Sequence, residues 1–353
     1  MIILIGSLPP PVGGVSKYCE RLFNWLLRQN CEVTLLDSKK LHVAAAFLVR
    51  KRFKINLVHV NCSSPILLLV HTLFAKLLTG CPVAITLHTN YDRPRCFTSR
   101  IYLNLSLLMA NHVLVLNRES YECVSPINRS AFISSSFIPF EISDQASTFA
   151  DSCVLVFPSL GDSSRVVRSL SSISHNFKLV VSTTAWRRTF QSGREVYGID
   201  QIVALAPRYR DILFLISDPS SDYLRSHVSL ELVHDNVSYI TTPHEFTSIL
   251  MYSDLFIRNT LTDGDATSVR EALFLGVPVA ASMEVSRPKG CITYTSLDHY
   301  TFDCILESIQ NPSFKRGSNL PLSINDATSL EGQKEMLVTE WYRQFLIPSL
   351  PPG

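Results

Sequence analysis

The sequence predicts an α/β chain of two doubly wound domains, each built on a mostly parallel sheet. Three observations carry that expectation. Short β-type runs alternate with helix-length patterns in the first part of the chain, the alternation lapses once in a Ser-rich stretch, and it then resumes. A chain of 353 residues is long enough for two domains with a core each.

In the first part, "MIILIG", "CEVTLLD", "INLVHVN", "PVAITLH", "NHVLVL" and "SAFISS" are the strand candidates. Between the first two, Val15, Tyr18, Cys19, Leu22 and Leu26 recur on one face of a helix. Strands joined through helices run parallel, because the crossover returns the chain to the same end of the sheet. Residues 134 to 152, "SSSFIPFEISDQASTFADS", keep neither period and read as the linker. Beyond it, "KLVVSTT", "DILFLIS", "NVSYITT", "SDLFIRN" and "VPVAAS" are strands of the second domain, with "IDQIVALAP" and "SVREALFLG" among its helices. "EGQKEMLVTEWYRQFL" reads as a terminal helix. The expected division is 1–140, 141–330 and a helical segment, 331–353, packing back towards the N-terminal domain. Ligands of doubly wound sheets lie at the carboxyl ends of the strands, and two facing domains leave a cleft that suits a sizeable ligand.

Composition excludes several classes. Hydrophobic residues at 46% against 18% charged argue for a packed globular chain and against disorder. A formal net charge of +2 is too weak to imply nucleic acid as a partner. The nine cysteines contain no CxxC pair and are odd in number, so neither a zinc site nor a disulfide framework is expected, and a reducing cytosol is. "MIILIGSLPP" lacks a basic start and reads as a first strand instead of a signal peptide. "PILLLVHTLFAKLL", with His71 and Lys76, is too short for a membrane span and reads as a buried helix. "LHVAAAFLVRKRFK" mixes apolar residues with Arg50, Lys51, Arg52 and Lys54. It has two readings, a solvated helix face or a contact with an anionic membrane surface.

Two short stretches carry candidate chemistry. In "LPPPVGGVSKY", Gly13 and Gly14 let the backbone turn tightly before a helix whose N–H groups suit a phosphate. A plain strand-to-helix loop explains them equally well, and the absence of GxGxxG argues against a dinucleotide site. In "DGDATSVRE", residues 263 to 271, Ser268 and Glu271 fit a capping box. That leaves "DGDAT" unexplained. Carboxylates at a strand's carboxyl end need hydroxyls or cations, and a sugar nucleotide offers hydroxyls on both ribose and hexose. Spacing alone does not separate these readings.

The chain resembles the retaining glycosyltransferases of the GT-B fold, family 4, a family that includes many enzymes of bacterial surface polysaccharides. The matches run in order. "GGVSKYCERLFNWLLRQNCEVTLLD" resembles the opening Gly-Gly loop, helix and second strand. "VHVN", "ITLHTN" and "NHVLVLNRES" resemble later landmarks of the first domain. "YGIDQIVALA" stands where the family has Lys-Gly-x-Asp, and "DGDATSVREALFLGVPVAAS" is similar to its signature of two acids with seven residues between.

The resemblance implies two Rossmann-like domains facing across a cleft, the first for acceptor and the second for donor. It implies that Glu271 holds the donor's ribose hydroxyls and that Asp263 takes the first-acid position near the donor sugar. Gly264 and its neighbours Asp265, Thr267 and Ser268 meet the sugar and phosphates, and Gly13 and Gly14 close on the diphosphate. His88 contacts the sugar, and Arg187, with Arg188 or Arg194 as substitutes, contacts the diphosphate.

Two residues depart from the family pattern: Tyr197 replaces the phosphate-binding Lys, and Asp263 stands where Glu is usual. The implied reaction is metal-independent transfer from a nucleotide-sugar, a UDP-sugar first, to a hydroxyl on a glycan or lipid-linked sugar. No cofactor is expected, and the expected place is the cytoplasm or the inner face of its membrane. Two alternatives stay open, a catalytically silent homologue and a sugar-nucleotide epimerase on the same fold.

Overall fold

The computed structural model describes residues 1–8, 14–88, 91, 96–140, 149, 153–158, 165–263, 265–310 and 337–345. The chain divides into two compact units, Met1–Phe140 with Gln333–Gly353, and Glu141–Gly332.

The first unit holds one sheet of β1 (Ile2–Gly6), β2 (Val33–Asp37), β3 (Leu57–Asn61), β4 (Val83–Leu87), β5 (His112–Val115) and β6 (Ala131–Ile133). The order is β2-β1-β3-β4-β5-β6, and every pairing is parallel. β1, β3 and β4 are buried along their whole length, which their unbroken apolar runs require when helices cover both faces.

Its helices are α1 (Gly14–Arg28), α2 (Leu41–Lys51), α3 (Pro65–Thr79), α4 (Phe97–Met109) and α5 (Arg118–Val124). α1 leads outward from β1 to β2, while α2, α3 and α4 lead back across the sheet the other way. Right-handed crossovers therefore put α1 on one face and α2 to α4 on the other. On the α1 side, Tyr18, Cys19, Leu22 and Leu26 turn inward as their spacing predicts. They share a core with Leu4, Leu57, Ala84 and Leu114, and with Val338, Trp341 and Tyr342 of α12 (Val338–Phe345). The first part of the terminal helix read from sequence, residues 331 to 336, lies outside the described residues. On the other side, "PILLLVHTLFAKLL" does form α3, but it is not a buried helix. Leu68, His71, Thr72 and Ala75 face inward, while Ile66, Leu73 and Leu77 stand exposed.

The second unit's sheet joins β7 (Val154–Phe157), β8 (Arg165–Arg168), β9 (Leu179–Thr184), β12 (Ile212–Ser217), β13 (Val237–Ile240), β14 (Leu255–Arg258), β15 (Val279–Ser282) and β16 (Cys291–Tyr294). A two-residue hairpin, β10 (Phe190–Gln191) with β11 (Arg194–Glu195), stands apart from it. The order is β16-β15-β14-β9-β12-β13-β7-β8. The centre is parallel as expected, but β7 and β8 add an antiparallel edge that the sequence did not announce. On one face pack α7 (Ile199–Val203), α8 (Asp222–Ser229) and α11 (His299–Gln310). On the other lie α6 (Leu170–Ser174), α9 (Phe246–Leu250) and α10 (Thr267–Phe274).

Two consequences are measurable. Gly198 caps the start of α7 at φ +60°, and a Cβ there would sit 2.3 Å from Asn259 Nδ2 and 2.5 Å from its carbonyl. Gly198→Ala should therefore cost about 2 kcal/mol or more, read as a lower melting temperature.

His59 is fully buried, with Nδ1 2.8 Å from Tyr342 Oη and Nε2 2.8 Å from Thr86 Oγ1. Burial pushes its pKa down to about 3 from an ordinary 6.5, with His88 and His112 adding to the effect. Below 6.5 the unfolded chain takes up a proton that the folded one refuses. Stability is thus complete above that pH and falls towards pH 4, by about 1.4 kcal/mol per pH unit for this one group. Denaturant melts at pH 7 and pH 5 should show a gentler decline in His59→Gln than in the parent.

Candidate active site

β9 and β14 are parallel neighbours, Leu255 opposite Val181 and Phe256 opposite Ser182. From β9 the chain moves to β12 and β13, and from β14 it moves the opposite way to β15 and β16. Their carboxyl ends therefore form a switch point, where open α/β sheets place ligands.

Arg258, the last residue of β14, ties the two ends together. Its Nη1 donates to the Thr184 carbonyl of β9 at 2.8 Å. Its Nε and Nη2 donate to Asp263 Oδ2 and Oδ1 at 2.9 and 3.2 Å, a bidentate pair. Arg287 arrives from the loop after β15 and reaches Asp263 Oδ2 at 3.4 Å, Thr260 Oγ1 at 2.8 Å and the Ser282 carbonyl at 3.1 Å. Thr260 Oγ1 donates to Asp263 Oδ2 at 3.2 Å. The side chains of Arg258, Asp263 and Arg287 are only 10%, 14% and 3% exposed. Burial alone would raise the Asp263 carboxyl, but the two guanidinium groups outweigh it and hold the pKa below the ordinary carboxylate value. The cluster thus carries two positive charges against one negative. Tyr197, where the resemblance expects Lys, lies with its ring 5.1 Å from the Arg258 guanidinium carbon.

α10 begins at Thr267 with Ala266 as its cap. The Ala266 carbonyl accepts from Val269 N at 2.9 Å and Arg270 N at 3.3 Å, and the alanine side chain makes no cap bond of its own. Ser268 lies inside the first turn, so the capping box between Ser268 and Glu271 is not how this helix starts. Glu271 is buried, 7% exposed, one turn beyond Thr267 on the same face. A buried ion pair, Arg270 Nε to Asp265 Oδ1 at 2.6 Å, anchors the loop to the helix.

The three arginines offered for the diphosphate have different fates. Arg188 is bound to Asp200, whose other oxygen receives His227 Nε2 at 2.8 Å. Burial raises the Asp200 carboxyl, and His227 and Arg188 more than reverse it, leaving it below its ordinary value. Arg194 pairs with Glu284 at 3.5 Å. Arg187 is exposed in the loop after β9, and among the described residues no carboxylate pairs with it. Of the three it is the one open to an anion. On the α7 side of the strand ends lies a pocket of about 200 Å³, lined by Gly198, Gln201, Asn259, Thr260 and Glu284 among others.

In the first unit, His88 follows β4 and is half-buried, with Nε2 3.3 Å from Asn61 Oδ1 and its ring 4.8 Å from the Tyr18 ring, edge-on. Burial pushes its pKa down to about 4, so it is neutral at pH 7. Gly14 is the exposed first residue of α1, and a Cβ there would meet nothing within 4 Å. Packing within the unit therefore does not demand a glycine at 14. Gly13 and Gly264 lie outside the described residues.

The structure thus gathers Asp263, Asp265, Thr267, Ser268 and Glu271 around the start of α10, with Arg187 after the adjoining β9. The sequence reading missed Arg258 and Arg287. A cation ending the apolar run "LFIR" was a signal for the first; nothing local marked the second.

No family model matches this chain, and no curated protein matches it. Solved structures do. The crystal structure of Anabaena Alr3699/HepE in complex with UDP and glucose is similar over 89% of this chain and 91% of that one, at 14% identity and a TM-score of 0.62. Sucrose-phosphate synthase (tll1590) from Thermosynechococcus elongatus matches over the same shares, 89% and 91%, at 14% identity and a TM-score of 0.61. An α,α-trehalose-phosphate synthase (UDP-forming) from Burkholderia xenovorans, in complex with glucose-6-phosphate, matches over 88% and 92% at 11% identity and a TM-score of 0.53. At these identities the likeness is one of architecture: the chain has the GT-B fold of two Rossmann-like units.

Proposed function

We propose that this chain is a glycosyltransferase that moves a sugar from a UDP-sugar to a hydroxyl acceptor with retention, in the assembly of a surface polysaccharide. The observation that carries the reading is the buried Arg258–Asp263–Arg287 cluster at the β9/β14 switch point, beside the start of α10 and Glu271. Glycosyl transfer leaves a diphosphate behind as the bond to the sugar breaks, so negative charge grows on the leaving group. A fixed site with net positive charge and a helix N-terminus stabilises that charge without reorganising. The UDP and glucose held by Alr3699/HepE on this architecture favour UDP among donors.

In this reading Glu271 accepts hydrogen bonds from the ribose hydroxyls, the role that the family resemblance gives it. Arg187 and the α10 start take the diphosphate. Asp263 acts on the donor sugar side while fixing two guanidinium groups, and their surplus charge stands in for the cation that Tyr197 does not provide. The acceptor is a glycan or lipid-linked sugar.

The test incubates the protein with UDP-, GDP- and ADP-sugars and glycan acceptors, with the anomer of the product read by NMR. Transfer with retention is the expected result. Isomerisation of a UDP-sugar without acceptor would make the chain an epimerase instead. Failure of any nucleoside diphosphate to raise the melting temperature would make it a silent homologue.

Two variants probe the site directly. Glu271→Gln should lower kcat/KM for the donor about 10- to 100-fold, as expected for one charge-assisted hydrogen bond, while the far-UV spectrum stays that of the parent. Arg187→Ala should weaken UDP binding about tenfold in calorimetry at no cost in stability, since the side chain is exposed. An unchanged dissociation constant would remove Arg187 from the site.

A further inference from the structure

Helices α3 and α4 each carry a second apolar stripe on the side turned away from the sheet. On α4 the inward residues are Leu103, Ser106 and Leu107. Opposite them Phe97, Ile101, Leu105 and Leu108, spaced four, four and three apart, stand exposed. The outward side of α3 repeats this with Leu73 and Leu77, the latter 73% exposed. The two helices pack side by side, with α2 alongside α3. The 3-10 turn that ends α2, Arg52–Lys54, holds Phe53 out with 89% of its surface exposed. An outward helix face is ordinarily polar, so a contiguous apolar face across three helices marks an interaction surface.

The charge around it has one sign. From Ser38 to Arg118 the sequence carries eleven Lys or Arg and a single acid, Asp92, in a chain of formal net charge +2. α2, α3 and α4 contain no Asp or Glu at all. Arg50, Arg52 and Lys54 stand exposed at the α2 edge, and no carboxylate of the described residues pairs with them. A second copy of the chain docked here by a two-fold axis would set these cations against their own equivalents. An anionic lipid surface satisfies both the apolar stripes and the cations. No helix of the described residues is long and apolar enough to cross a membrane, so the contact is one of lying on the bilayer.

We propose that the outer face of α2, α3 and α4 seats the first unit on an anionic bilayer, with the α3 and α4 stripes entering the headgroup boundary and the α2 cations on lipid phosphates. The proposal rests on the preceding reading only for its purpose, which is to bring the chain to a lipid-linked acceptor.

The test is flotation of the full chain with phosphatidylcholine vesicles, with and without phosphatidylglycerol, at low and high salt. The chain should float with the anionic vesicles alone, and less at high salt. A variant with Arg50, Lys51, Arg52 and Lys54 all changed to Gln should lose on the order of a hundredfold in partition, at about fivefold or less per cation. The double variant Leu77→Glu, Leu108→Glu should lose tenfold or more while keeping its far-UV spectrum and melting temperature, because both side chains are already exposed. Equal flotation with neutral vesicles, or none with anionic ones, would overturn the proposal. Self-association lost in the Leu77→Glu, Leu108→Glu variant without vesicle binding would do the same and make the face a dimer contact. The thermal shift by UDP, followed in the same proteins, keeps the two readings apart: flotation without a UDP response defeats the transferase alone, and a UDP response without flotation defeats the membrane contact alone.

Discussion

The bidentate pair between Arg258 and Asp263 is the constraint on which the second unit's site depends. Arg258 ends a strand buried along its length, so its charge has little access to bulk water. A guanidinium in that position is tolerable only with a carboxylate and carbonyls around it, and Asp263 and the Thr184 carbonyl supply them. Because Thr184 belongs to β9, satisfying one charge also fixes the separation of the two strands that define the switch point. Arg287 then draws the loop after β15 onto the same carboxylate. Three strand ends are thereby held by one Asp, and the loop entering α10 has its geometry set from behind.

A second buried pair, Arg270 with Asp265, does for the helix start what Arg258 does for the strand ends. Of the three acids in "DGDATSVRE", Asp263 and Asp265 are both engaged with arginines. Glu271 is set apart from them by its place on the helix, a turn beyond Thr267. Ser268 lies inside the first turn of α10, so a capping box does not account for the buried carboxylate at 271.

The first unit shows the same economy of polar groups on one face and its opposite on the other. Beneath α12, His59 meets Tyr342 and Thr86 in a dry setting shared with Trp341 and Trp25, so both of its ring nitrogens are matched within the core. Across the sheet, the helices α2 to α4 bury one side each and leave apolar residues on the other. Burial makes both His59 and His88 neutral, but His59 is enclosed in the core whereas His88 is half-buried at a strand end and close to Asn61.

Sequence alone determined the alternation of strands and helices, the parallel centre of both sheets and the inward face of α1, because these follow from period and chain connectivity, which are local. It also singled out "DGDATSVRE" as the place where polar residues lack a structural excuse. It did not give β7 and β8, whose runs are only four residues each, although the "PSLGDSS" between them is a turn signal. It took α3 for a buried helix because the outward Ile66, Leu73 and Leu77 are more apolar than the inward His71, Thr72 and Ala75, so hydropathy does not mark which face is covered. Tertiary structure alone decided which of Arg187, Arg188 and Arg194 is left open to an anion, since Asp200 and Glu284, which occupy the other two, lie on separate elements. It also decided that Arg258 and Arg287 share Asp263. Those pairings join residues five and twenty-four positions apart through strands that meet only once the sheet is assembled, and a charge's partner is fixed by distance in space, which the order of residues does not contain.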